Sequence, residues 1–99
     1  MENEYEKLRE FGIAIEGALT VECGGNACAD TKLSVTRSYP NPPRVKVRNS
    51  GDKDIQVKVW WSNPLGTART SRTIWAGETE EMDGPPQYWG VRRYESDYI

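Results

Sequence analysis

Between Gly12 and Trp61 apolar residues recur at alternate positions in several short runs, separated by stretches rich in Gly, Pro, Asn or Asp. A period of two puts alternate side chains on opposite faces of an extended chain, and strict alternation marks a half-buried β-strand. In the first run Ile13, Ile15, Leu19, Val21 and Cys23 share one face, against Ala14, Glu16, Ala18, Thr20 and Glu22 on the other. Gly17 reads as a bulge or bend within it, and Gly24-Gly25-Asn26 turns the chain. Lys32 to Tyr39 alternates again, until Pro40, Pro42 and Pro43, which have no N–H to give to a ladder, end the run.

The next two runs lie either side of Asn49-Ser50-Gly51-Asp52. Residues 44–48 turn Val45 and Val47 inward. Residues 55–61 set Ile55, Val57, Val59 and Trp61 against Gln56, Lys58 and Trp60, and the two runs are expected to pair as a hairpin. Further strands are expected over 69–75, 78–82 and 87–94, set apart by Asn63-Pro64-Leu65-Gly66, Ala76-Gly77 and Asp83-Gly84-Pro85-Pro86. About seven short strands with turn signals roughly every ten residues predict a small antiparallel β-sandwich, Ig-like or jelly-roll-like. The sandwich fills residues 12–94. Residues 1–11 read as an N-terminal arm or short helix with Tyr5, Leu8 and Phe11 as a thin apolar stripe, and residues 95–99 as a C-terminal tail. A helix that short is marginal alone and must dock on its own sandwich or on a neighbour.

Charge and composition narrow the chemistry. Thirteen Lys and Arg against fifteen Asp and Glu give a net charge of -2, without the basic excess of a dedicated nucleic-acid binder. No apolar run is long enough for a membrane-spanning helix. The first ten residues hold four Glu and no apolar stretch, unlike a secretory signal, so synthesis and retention in the cytoplasm is one expectation. The chain has no His, so it lacks both the common neutral-pH base and the commonest metal ligand. No nucleophile–base pair, phosphate loop or metal motif occurs, and the Ser and Thr hydroxyls have no evident activator. A non-enzymatic role without metal or cofactor is expected.

Cys23 and Cys28 enclose Gly-Gly-Asn-Ala, a spacing that suits either a disulfide across a hairpin mouth or two buried thiols. The aromatic residues are the most distinctive group: four Trp and five Tyr among 99 residues. Trp60 and Trp61 are adjacent, so Trp61 joins the core and Trp60 faces outward. Most Trp residues in such a sandwich are core or edge aromatics, while an exposed pair serves a protein interface or a sugar platform. Glu78, Glu80, Glu81 and Asp83 form an acidic run that fits a charged edge strand better than an acid–base pair. Lys32, Arg37, Arg44, Lys46 and Arg48 form a basic strip. The two patches are either solvated faces or meet between neighbouring subunits.

The stretch Thr73-Ile74-Trp75-Ala76-Gly77-Glu78-Thr79, followed by Asp83-Gly84-Pro85-Pro86-Gln87-Tyr88-Trp89, resembles small β-sandwich proteins of tailed-phage virions, such as head decoration and tail-associated proteins. It also resembles Ig-like and fibronectin-like accessory modules. The likeness covers residues 44–94 and implies an architecture and a habit: components that act through their surfaces. On that reading the chain is a virion structural protein that binds like subunits or a capsid or tail lattice. The contact residues expected are Tyr5, Leu8, Trp60, Trp89, Tyr98 and Ile99. The competing expectations are a monomeric module that holds carbohydrate or a protein ligand on exposed aromatics, and a small protein inhibitor.

Overall fold

A computed structural model describes residues 21–36 and 43–99. The expected N-terminal arm, with Tyr5 and Leu8, lies outside the described residues, as do most of the first expected strand and Arg37. Seven strands are described: β1 (Glu22–Gly24), β2 (Thr31–Thr36), β3 (Arg44–Asn49), β4 (Ile55–Asn63), β5 (Gly66–Ile74), β6 (Thr79–Asp83) and β7 (Gly90–Tyr98). A 3-10 turn, Cys28–Asp30, leads into β2. The strands form a four-stranded sheet in the order β1-β7-β4-β5 and a three-stranded sheet in the order β2-β3-β6. The chain is a small all-β sandwich, as its alternation predicts. One pair departs from the antiparallel expectation, because β1 runs parallel to β7.

The inner faces are the apolar halves of the alternating runs. Val45 and Val47 of β3, Ile55, Val57, Val59 and Trp61 of β4, Ile74 of β5, Met82 of β6, and Val91 and Tyr94 of β7 are all buried. Burying one such side chain contributes about 1.5–3 kcal/mol, so β4, which supplies four, is the principal contributor to the core. Trp61 fills the space between the sheets and donates its indole N–H to Thr70 Oγ1 at 2.9 Å, so its one polar atom is satisfied. Gly84 backs onto that ring. A Cβ there would stand 2.9 Å from Trp61 Cε3 and 3.0 Å from the Pro43 carbonyl oxygen.

The expected hairpin of residues 44–48 with 55–61 does not form. β3 pairs with β2 and β6, whereas β4 pairs with β5 and β7, so the turn between them crosses from one sheet to the other. Asn49 makes that crossing. Fully buried, it donates through Nδ2 to the Lys53 and Ile74 carbonyls at 2.7 and 3.1 Å and accepts the Gly51 N–H on Oδ1 at 3.0 Å. Hairpins form instead between β4 and β5, at the expected Asn63–Gly66 turn, and β2 pairs with β3.

The tail expected over 95–99 is also corrected, since β7 continues to Tyr98 and only Ile99 lies beyond it. Tyr94 and Ser96 point inward, and Tyr98 pairs with Ile55 at the start of β4. A serine at a core position hides the periodicity from the sequence. Its hydroxyl is satisfied by Thr31 Oγ1 at 2.6 Å. Thr31 spends its own proton on the Ala27 carbonyl, so Ser96 is the donor. Between Trp60 and Trp61 the β4–β7 register shifts, pairing Trp60 with Arg93 and Trp61 with Val91. Arg92 is left over as a bulge.

Candidate protein-interaction surface

The outer face of the four-stranded sheet carries Gln56, Lys58 and Trp60 of β4, in register with Asp97, Glu95 and Arg93 of β7 and with Thr73, Ser71 and Arg69 of β5. Trp60 is half-buried, with the Arg93 guanidinium stacked 4.0 Å from its ring centroid. Arg93 also lies 3.9 Å from Glu95 Oε1. A ring covered in this way is part of a cation–π ladder rather than an open platform. Trp89, half-buried, stands at the opposite end of the sheet from Tyr98, where its backbone N–H donates to the Ser62 carbonyl at 3.0 Å.

Tyr98 and Ile99 lie at the far end of the sandwich. Tyr98 is half-buried, with its hydroxyl on Asp30 Oδ2 and the Lys53 ammonium 5.4 Å from its ring centroid. The bond to Asp30 holds the Tyr98 hydroxyl above its ordinary pKa, with desolvation adding to the same direction. Ile99 is 76% exposed, and its N–H donates to the Asp54 carbonyl at 3.2 Å. Asp54 Oδ1 accepts the Ala76 N–H at 2.9 Å, which fixes the turn that follows β5. That turn opens with Trp75, which is 60% exposed. One residue, Asp54, therefore holds two segments whose neighbouring large apolar side chains, Trp75 and Ile99, both face solvent.

Trp75 is an exposed aromatic outside the expected contact set. The signal was present: Ile74 is the inward residue at the end of its strand, so the next residue faces outward at the start of a turn. Leu65 is exposed too, at 96%, on the tip of the β4–β5 hairpin. It belongs elsewhere, because β4 and β5 are nine residues long and separate the two places by roughly 30 Å.

The charged patches meet within one chain. β3 and β6 are neighbours, so the basic strip lies directly beside the acidic run. Arg44 Nε donates to Asp83 Oδ1 at 2.6 Å, and Nη1 lies 3.8 Å from Glu81 Oε2. The paired side chains stay more than half exposed, so the two patches form one solvated face with ion pairs across it. Cys23 and Cys28 are joined in a disulfide with Cα atoms 6.1 Å apart, and Cys28 opens the 3-10 turn rather than a returning strand. Among the described residues no group of three or more His, Cys, Asp or Glu is placed to hold a metal ion. Comparisons with protein-family models, curated proteins and solved structures gave no match.

Proposed function

We propose that the protein is a non-enzymatic assembly module that docks on other protein subunits through the end of the sandwich built around Asp54. The observation that carries this reading is the exposure of Trp75 and Ile99 on two segments that the same residue fixes. Tryptophan is among the side chains that contribute most at protein interfaces. Here the backbone on either side is already held, so little ordering cost remains to be met on binding. A capsid or tail lattice is the specific partner that the likeness of residues 44–94 to phage virion sandwiches implies. The covered ring of Trp60 speaks against the sugar-platform alternative at that site.

The test is site-specific cross-linking in the producing cell from a photoreactive side chain at position 75, with the same group at Gln56 as control. Gln56 is exposed in the middle of the sheet. Discrete protein adducts from position 75 and none from the control are expected. Equal yields from both positions, or none from position 75, would remove this reading.

A further inference from the structure

Both sheets end on the same side of the molecule. β5 closes the four-stranded sheet, β6 closes the three-stranded one, and among the described residues neither has a strand on its outer side. Thr70 Oγ1 lies 3.9 Å from Met82 Sδ, so the two edges lie one above the other. The turn over residues 75–78 joins the end of β5 to the start of β6, so the edges run in opposite directions.

Each edge carries a charge on its core-facing side. Arg72 is in register with buried Val57, and Glu80 is in register with buried Val47. Both are exposed because edge strands overhang the core. Charges pointing inward from an edge bar the wrong neighbour. β5 against a second β5 would bring arginines together, and β6 against a second β6 would gather glutamates, both unfavourable across strands. The opposite signs leave one pairing favourable, β5 against β6 of another molecule.

We infer that two copies of this chain join about a two-fold axis parallel to the strands, each β5 adding antiparallel to β6 of the second copy. Rotation about such an axis keeps every residue at its own height. Thr70 and Met82 are level within one copy, so Thr70 meets Met82 of the second copy. Counting outward along antiparallel strands, Arg72 then faces Glu80 of the second copy, and Arg69 faces Asp83 of the second copy. The faces agree as well: Arg72 and Glu80 point toward the core side, whereas Arg69 shares the outer face with Trp60 and Asp83 shares it with Arg44. The symmetry makes the contact twice and joins the sheets into two continuous layers, each with the order β1-β7-β4-β5-β6-β3-β2. An isologous contact of this kind closes on itself and leaves no unpaired β5 or β6 edge to propagate. The inference rests on the assembly reading and names its first partner, through residues other than those at the Asp54 end.

The experiment is sedimentation velocity of the full chain from micromolar to millimolar concentration, for the wild type, Arg72→Glu, Glu80→Arg and the double swap. The far-UV spectrum and melting temperature of each variant confirm its fold. A wild-type dimer is expected, weakened by added salt. Either single reversal should loosen it by about tenfold or more, because each places two like-charge pairs in the interface. The double swap should restore it. A wild type that stays monomeric throughout, a dimer insensitive to both reversals, or a swap that fails to restore it would overturn the edge pairing. In each of those cases the assembly reading still stands or falls separately, on the cross-links from position 75.

Discussion

The Tyr98 hydroxyl donates to Asp30 Oδ2 at 2.5 Å, and its backbone N–H to Asn26 Oδ1 at 2.9 Å, so the last residue of β7 is fastened to the segment before β2. The Asp30 carbonyl in turn accepts the Ser50 N–H at 2.8 Å, which draws in the sheet-to-sheet crossing. Gly51 makes room for the carboxylate: a Cβ there would lie 2.6 Å from Asp30 Oδ2.

The hydroxyl bond to Asp30 exists only while the phenol keeps its proton. The hydrogen bond to Asp30 raises the Tyr98 pKa above its ordinary 10.0, with burial and the charges of Asp30 and Asp52 adding to the same direction. Burial raises Tyr94 as well. A group whose folded pKa is raised lends its stability fully below the unfolded value and loses it as pH rises through the folded value. The melting temperature is therefore expected to fall as pH climbs past the ordinary tyrosine range. Tyr98→Phe should melt lower than wild type at neutral pH and show a shallower alkaline decline, in thermal melts over a pH series. Parallel curves with a constant offset would mean that the Tyr98 proton is not linked to folding.

Asn49→Ala strips partners from two buried or half-buried carbonyls and one N–H at the crossing between sheets. Leaving one buried polar group unsatisfied costs about 1–3 kcal/mol. The substitution is expected to lower stability by about 2–4 kcal/mol, read as a shift of the urea midpoint at unchanged slope. Asn49→Asp keeps the acceptor but loses both donated bonds, so it should recover little. Full stability in Asn49→Ala would mean that the turn holds itself.

Reduction of the Cys23–Cys28 bond should cost about 2 kcal/mol, the loop-closure value for a ring this small. The strand spectrum should persist, because the core residues on β3, β4 and β7 do not depend on that link. Denaturant midpoints with and without reductant give the measurement. A loss of all tertiary signal on reduction would show that the first strand is anchored by sulfur rather than by its pairing with β7.

Alternation made the sheets legible and left their partners obscure. Val57, Val59 and Trp61 were readable as core because a period of two fixes which face a residue takes. It does not say which strand lies alongside. Asn49-Ser50-Gly51-Asp52 has hairpin composition, and only the buried side-chain bonds of Asn49 reveal a crossing. Ser96 hid the second half of β7 for a related reason, since a hydroxyl satisfied by Thr31 behaves as core while reading as polar. Of the expected contact residues within the described chain, Ile99 stands at the exposed end, and Tyr98 lies beside it as a structural tie. Trp60 is occupied by Arg93, an association across strands that no local pattern encodes. The charged edges were visible as composition, but their inward-pointing members, Arg72 and Glu80, needed the register.

β7 lies between β1 and β4 in the sheet although it comes last among the described strands. Asn26 donates its backbone N–H to Asp97 across 71 positions of chain, and β1 finds its partner only at residues 93–95. Long-range pairings of this kind place a domain among the slow folders, on the millisecond-to-second scale. Until β7 pairs with it, β4 is held in the sheet by β5 on one side alone. The interval before that insertion is when the chain is most open to aggregation, and whatever hastens the arrival of β7 will govern how much native protein is recovered on refolding.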